Sequence, residues 1–581
     1  MKLYKIKYAF IVAVGLMLHS CLDLEPKDQL AETNIWSTPS DFELFANQFY
    51  GWSRNFSVVD NHSTKPLHSD YNSDLMTYKD DRNRFSNGSN AVQESDGNYG
   101  DAYAHIRRTN LLLKNAEDYS NQADIAQFVG EAKFFRAYSY FELVQLYGNA
   151  IIVTKPLNVT DPELKVAQND RSEVIDFIIK DLEDAALLLP KYAEVENGRI
   201  SQEGCWAFLS RVALYEGTWQ KFRENEARAK ELLEIAANTA ENVINGGTFS
   251  LFQPEKLGIY AYKYLFILEN DKSNPESITK SGNTEYIFSR RYDEILNPIG
   301  FNISEGFLNK AVFMTRKMAN MYLTAEGLPI DPTNTAMYAT MTSEYENRDN
   351  RMQNIMMIAG RPYWGNSKGR TSWKDDAEDL PLALYQSFDP KSRSGYFFRK
   401  WATERKVAST KEGYDFPIIR YAEVLLNYAE ALFELNTDIG GNITGDEKKI
   451  ANGLAKLNLV RKRVNPDMSD LTIEFARQKG LTLRTEIRRE RTIELFHEGF
   501  RMDDLKRWNT AVNEMNQNML GVKWKGTDFE KVWIDKTIIT DAEGCIIMEN
   551  GRQWANRNYL YPLPTDQLKL NTNLKQNPGW E

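Results

Sequence analysis

Apolar and aromatic residues recur in alternating steps of three and four across 416–435, at Ile418, Tyr421, Leu425, Tyr428, Leu432 and Leu435. That spacing puts them on one face of an α-helix. Val174, Ile178, Leu182, Ala185 and Leu189 repeat it, and Pro190 then ends the run because it can neither donate the next hydrogen bond nor fit the helix. Between Ile125 and Tyr147 there are two such stripes, Phe128, Ala132 and Phe135 on one side and Phe134, Tyr138 and Phe141 on another. A helix apolar on two sides is sandwiched between neighbours. The chain is therefore expected to stack helices rather than build sheets.

The predicted helices fall in pairs: 131–147 with 173–189, 203–216 with 227–245, and 417–436 with 447–464. Gly217-Thr218-Trp219 reads as the turn of the middle pair, and Pro466 lies just past the last. Small residues on the first helices (Ala137, Ala207, Val212, Ala422, Ala429) allow close backbone approach. Such units look like tetratricopeptide repeats, although the period is irregular; an antiparallel helix bundle is the alternative. Between the helical regions, about 101–245 and 417–508, lie long stretches without helical period, about 52–100 and 270–415. They are rich in polar and aromatic residues, among them Trp364, Trp373, Tyr385 and Trp401, with strand-like pieces such as Glu285 to Phe288. Loops of this length on a compact scaffold usually carry function. The expected fold is mostly α: four helix pairs in a tetratricopeptide-like scaffold, with long irregular loops and short strands mounted on it.

The N-terminus carries an address. Lys2, Lys5 and Lys7 precede an apolar stretch from Tyr8 to Leu18, and Leu18-His19-Ser20-Cys21 follows. This is the layout of a secretory signal over residues 1–20, too short to span a bilayer. The cysteine after the cut resembles a bacterial lipobox, with His19 a departure from it; acyl chains on Cys21 would tie residues 21–581, read as one domain, to a membrane. An ordinary cleaved signal with an incidental cysteine is the alternative. With 71 basic and 81 acidic residues the formal charge is −10, which excludes a nucleic-acid binder of the usual basic kind. Cys205 and Cys545 remain; Cys205 lies beside Trp206 in a helical pattern and reads as a packed free thiol.

Motifs for catalysis do not hold up. Gly365-Asn-Ser367-Lys-Gly369 has the spacing of a nucleophile elbow but neither the strand before it nor the helix after it. His62, His68, His105 and His497 lack the spacing of a helical zinc site. Gly440 to Gly445 is followed by Asp446 and so is no phosphate loop; Asp438, Asn442 and Asp446 read as an inter-helix turn rather than a calcium loop. Asp375 and Asp376 are adjacent, whereas glycosidase carboxylates face each other across a sugar. Neither an enzyme nor a cofactor is expected.

Several segments, taken together and in order, resemble the SusD/RagB family of surface lipoproteins. They are Leu22-Asp-Leu-Glu-Pro26, Glu131 to Gly148, Arg199-Ile-Ser201, Pro417 to Glu430, Ile487 to Arg501 with Asp504-Leu-Lys-Arg-Trp508, and Tyr559 to Trp580. Residues 487–508 read as scaffold, with Arg491 and Glu494, Glu498 and Arg501, and Asp503 and Arg507 spaced to pair along a helix. The tail with Pro562 and Pro564 is expected to lie extended on the helices. The resemblance implies a lipid-anchored outer-membrane protein facing the exterior. Such a protein captures an oligosaccharide and delivers it to a SusC-like TonB-dependent transporter. Sugar contact would fall to the loops: Asp70, Tyr71, Asp74, Tyr78 and Arg82 in the first, Tyr363, Trp364, Arg370 and Trp373 in the second. A helical-repeat protein–protein adaptor is the rival reading.

Overall fold

A computed structural model describes residues 36–56, 70–78, 87–301, 303–304, 312–363, 370–371, 373, 380–381, 394–408, 410–532 and 537–581. Ten helices carry the scaffold: α1 Pro39–Asn47, α2 Gly97–Glu117, α3 Gln122–Tyr147, α4 Arg171–Leu188, α5 Gln202–Lys221, α6 Glu226–Gly246, α7 Tyr421–Leu435, α8 Glu447–Lys462, α9 Leu483–Glu494 and α10 Arg501–Arg507. Their starts are capped locally. Glu173 accepts the Asp170 backbone N–H at 3.0 Å before α4, Ser201 accepts the Gly204 N–H at 3.2 Å in α5, and Asp446 accepts the Lys448 N–H at 2.8 Å in α8.

From α2 to α6 each helix packs on the one before it. Helix α7 then packs on α6 and α5, and α8 on α7, so the array continues across the insertion at 247–420. The predicted pairs are present, and α2, to which periodicity assigns no partner, packs on α3. One turn is corrected: Gly217, Thr218 and Trp219 lie inside α5, which runs on to Lys221. Gly217 is there for helix contact rather than for a turn, since a Cβ on it would stand 2.9 Å from Leu233 Cγ. Gly453 does the same between α8 and α7, where a Cβ would stand 3.0 Å from Ala429 Cα.

The strands are short and antiparallel: β1 Met76–Tyr78 with β3 Val312–Met314, β2 Tyr286–Arg290 with β6 Phe416–Arg420, β4 Pro362–Tyr363 with β5 Leu380–Pro381, and β7 Met519–Lys523 with β8 Cys545–Glu549. The strand expected near 285–288 is β2. The region 270–415, read from sequence as loop, contains much of a second hydrophobic core that includes Tyr262, Phe266, Phe313, Met318, Tyr322, Tyr396, Trp401 and Tyr414. No periodicity marks it because short strands, bridges and one-turn helices contribute one or two apolar residues each.

Residues 487–508 are scaffold, but the pairing is not the one that helical spacing suggests. Helix α9 stops at Glu494 and the chain turns at His497 (φ 62°) and Gly499 (φ 79°) before α10. The charges then reach across elements. Glu494 meets Arg420 at 2.7 Å, Arg351 at 3.1 Å and also Arg463, while Glu498 takes Lys400 at 2.6 Å and Arg420 at 2.7 Å. Arg491 pairs with Asp504 at 2.9 Å, Arg507 with Glu430 at 2.7 Å, and Asp503 with Arg54 at 3.3 Å. In a dry interior each charge needs a partner, and here most partners come from other segments, although Arg507 also pairs with Asp504 along α10 at 2.8 Å.

The C-terminal segment lies on the helices as expected. Tyr561 donates its N–H to the Leu146 carbonyl at 2.7 Å, and Asn577 Nδ2 donates to the Tyr147 carbonyl at 2.9 Å. Cys205 and Cys545 are both buried free thiols. Among the described residues no helix is long and apolar enough to cross a membrane, and no group of His, Cys, Asp and Glu is placed to hold a metal ion.

Candidate functional site

Of the first predicted loop, Asp70, Tyr71 and Asp74 are described with their side chains, and the two acids turn inward. Asp70 is 1% exposed; its carboxylate accepts the backbone N–H of His497 at 2.6 Å and of Arg501 at 3.2 Å. Burial outweighs these donors and pushes its carboxyl up to about 6. Asp74, 4% exposed, forms a double contact with Arg501 at 2.8 Å and meets Lys317 at 2.6 Å. Burial would raise Asp74, but Arg501 and Lys317 hold it well below the usual carboxylate range. Both carboxylates fasten this segment to the α9–α10 turn and its surroundings. Tyr71 is half-buried with its ring 5.7 Å from that of His497, and its hydroxyl is 3.3 Å from His497 Nε2. Tyr78 ends β1 opposite Val312, and Tyr363 sits in β4 opposite Leu380. Cys21, Arg82 and Trp364 lie outside the described residues, as do Ser367, Asp375 and Asp376.

The second predicted loop supplies a surface. Arg370 is anchored by its backbone, its N–H donating to the Glu404 carbonyl and its own carbonyl accepting from Lys406, each at 2.8 Å. Its guanidinium stands 5.2 Å above the Trp373 ring. Trp373 is partly buried; its Nε1 donates to the Lys272 carbonyl at 3.1 Å, and Tyr264 meets it edge to face at 6.0 Å. Trp401, from the same sequence stretch, is instead 1% exposed and stacked on Phe416 at 5.7 Å. The two tryptophans are alike in sequence context and differ in burial.

Sequence reading missed the other half of this surface. The one-turn helix Ala261–Leu265 sends Tyr262 inward, where its hydroxyl donates to the Glu494 carbonyl at 2.7 Å, and places Tyr264 against Trp373. Tyr260, just before it, is 47% exposed, and Lys263 Nζ lies 5.5 Å from its ring and 4.5 Å from that of Tyr264. Glu404 binds Lys263, accepts from the Tyr264 hydroxyl at 3.2 Å and meets Arg399 at 3.4 Å. The aromatic spacing Tyr260-Ala-Tyr262-Lys-Tyr264 is the signal that was available. Tyr264, Lys263 and Glu404 are themselves buried, so Tyr260 and part of Trp373 are the aromatic groups here that reach the surface, and an exposed aromatic face of this kind can receive the C–H face of a sugar.

Residues 266–580 match the model of the SusD family, and residues 21–214 match one described as starch-binding, associating with the outer membrane. SusD-like protein P38 of Formosa agariphila is 25% identical over 542 residues, covering 89% of this chain and 94% of that protein. A SusD-like protein of Bacteroides ovatus is 21% identical over 93% of this chain and 88% of its own. The crystal structure of a SusD-like carbohydrate binding protein from Bacteroides fragilis superposes with a TM-score of 0.70 at 20% identity, over 93% of this chain and 100% of that one. Surface glycan-binding protein A from Bacteroides fluxus does so at 0.56 and 18%, over 94% and 100%. The fold is the one these structures share.

Proposed function

Because this chain belongs to the SusD family, we propose that it is an oligosaccharide-binding protein of the bacterial surface that uses the Tyr260–Tyr264–Trp373 face. In this reading a lipid on Cys21 holds it to the outer membrane, facing outward, and it hands its glycan to a SusC-like TonB-dependent transporter. The observation that carries the reading is the exposure of Tyr260 and of part of Trp373 on an insertion whose β2–β6 pair packs on α5 of the helical array. The description of the family matched at 21–214 and the titles of the similar structures support it. Glycan capture needs no reaction, and Glu404, beside Tyr264, is already engaged by Lys263 and Arg399.

Titration calorimetry against a panel of oligosaccharides tests this. Tyr260→Ala and Trp373→Ala should each weaken binding at least tenfold, and chromatography should recover the bound glycan intact. Unchanged affinity in both variants would place the site elsewhere, and release of shortened products beyond one equivalent would make the protein an enzyme.

A further inference from the structure

A cleft of about 430 Å³ lies where the insertion meets the helical array, and neither Tyr260 nor Trp373 lines it. One wall is the turn at 192–199 between α4 and α5; the other is β2 with the turn at 280–283. The Arg199-Ile-Ser201 motif supports the first wall, since Arg199 meets Glu131 at 2.9 Å and Glu43 at 3.2 Å. Across the cleft Arg291 donates to Asn197 Oδ1 and meets Asp415 at 2.8 Å. Gly198 (φ 102°) lets the turn come this close, because a Cβ there would stand 3.0 Å from Arg291 Cγ. Lys280 is fixed by the Gly413 carbonyl at 2.5 Å and by Asp415 at 2.6 Å.

The charges of the walls are matched locally: Arg199, Lys280 and Arg291 each already hold a carboxylate. The uncharged groups are not matched. Among the described residues the Tyr192 hydroxyl, Asn197 Nδ2, Asn283 Nδ2 and Ser289 Oγ have no hydrogen-bond partner, although all four residues line the cleft. Their positions are nonetheless held. Tyr192 donates its backbone N–H to Glu203 at 2.8 Å, and its ring meets that of Phe249 edge to face at 4.7 Å. Asn283 Oδ1 accepts the Glu285 N–H at 3.0 Å and the Tyr286 N–H at 3.2 Å, and Ser289 pairs with Pro417 in the β2–β6 ladder. Water satisfies such groups one at a time, whereas a ring bearing several hydroxyls satisfies several together and releases the waters.

We infer that this cleft is a second saccharide site, separate from the Tyr260–Trp373 face, which takes a neutral sugar unit whose hydroxyls bond Tyr192, Asn197, Asn283 and Ser289. Its volume falls within the roughly 300–1,000 Å³ of small-molecule sites, which favour junctions of this kind. Locally matched charge selects a neutral ligand over an acidic one, because an anion entering the cleft would have to compete with Asp415 and Glu131 for the cations there.

The test uses the full chain and a version of it carrying both Tyr260→Ala and Trp373→Ala. Maltotriose, cellotriose and mannotriose are titrated by calorimetry, with trigalacturonate as the acidic control. At least one neutral trisaccharide should bind the doubly substituted chain at about one equivalent, about tenfold tighter than trigalacturonate, and should slow backbone hydrogen exchange at 192–199 and 280–291. Ser281→Trp, at an exposed position lining the cleft, should weaken that binding about tenfold when added to the doubly substituted chain. Tyr192→Phe, which keeps the ring against Phe249 and removes the hydroxyl, should weaken it about threefold. Neither substitution should move the melting temperature. Binding with no slowing of exchange at the two segments, unchanged affinity in both Ser281→Trp and Tyr192→Phe, or trigalacturonate binding as tightly as the neutral sugars would each overturn the inference. Neutral sugars that bind the parent and not the doubly substituted chain would also overturn it, while leaving the proposed face standing. No binding of the three to either chain would overturn it as well.

Discussion

Arg420 and Glu494 meet at 2.7 Å with both side chains enclosed, one closing β6 and the other ending α9, 74 residues apart in the chain. The contact joins the two cores. Arg420 also reaches Glu285 at 2.8 Å, and Arg463 binds both acids, so two arginines and two glutamates tie the insertion to the last helices of the array. Removing one member of a buried set leaves an unpaired charge behind, which costs about 3–5 kcal/mol. Glu494→Gln is expected to lower unfolding free energy by about that much in urea titration, and Arg420→Met likewise. A loss under about 1 kcal/mol would mean that water reaches the site and screens it.

Trp373 and Trp401 should separate cleanly. Trp401 is enclosed by Phe56, Phe266 and Phe416, and its Nε1 donates to the His497 carbonyl at 3.2 Å. Trp401→Ala is expected to cost about 3–5 kcal/mol of stability. Trp373→Ala should move the melting temperature little and remove on the order of 2 kcal/mol of ligand affinity. Thermal melts of both variants beside calorimetry of Trp373→Ala decide the matter; equal destabilisation would make Trp373 a packing residue.

Helix spacing rests on two glycines. Gly453→Leu would push a side chain into the Ala429 backbone, 3.0 Å from where a Cβ alone would stand. Gly217→Leu would collide with Leu233 in the same way. Overpacking of this kind costs about 1–3 kcal/mol or more, read as a lower urea midpoint with an unchanged slope.

Stability should depend on pH in two opposite senses. Burial raises Asp70 and Asp503 to about 6 and Glu412 to about 7. Between those values and the ordinary carboxylate range the folded protein holds protons that the unfolded chain has released, so stability rises as pH falls from about 7.5 to about 5. Glu430 behaves the other way: burial would raise it, but Arg507 outweighs that and holds it at about 2. Glu494 is likewise lowered, by Arg463, Arg420 and Arg351 acting against burial. Below about pH 4.5 the unfolded chain takes up protons that these groups refuse, and stability falls. Denaturant titrations across this range should peak near about pH 5; a monotonic fall from neutral pH would contradict the assignment.

Cys21→Ala is expected to move the protein from membrane to soluble fractions with its fold intact, since the first described helix, α1, starts at Pro39. Tight membrane association of that variant would point to another anchor.

The helices were legible because each buries a stripe whose period is a property of the chain itself. Val174 to Leu189 and Tyr421 to Leu435 announce α4 and α7 with no knowledge of what covers them, and Pro190 marks an end; Ile418, which fits the same stripe, belongs instead to β6, whose residues pair with β2. The order of motifs along the chain was enough to place it near its family. The candidate site was only half legible. Arg370 and Trp373 could be named because a tryptophan in a polar, glycine-rich stretch needs a partner, but Asp70 and Asp74 looked equally suited to a sugar. Their burial depends on Arg501 and the His497 backbone arriving from more than 400 residues away.

What the sequence determined by itself was local: where helices run and end, where small residues permit contact, and which segments lack period. Tertiary structure decided which charges pair, which tryptophan is enclosed, and that Tyr264 meets Trp373. A helical stripe repeats within a few residues, whereas a buried ion pair or an aromatic face is assembled from segments whose separation along the chain carries no periodic trace.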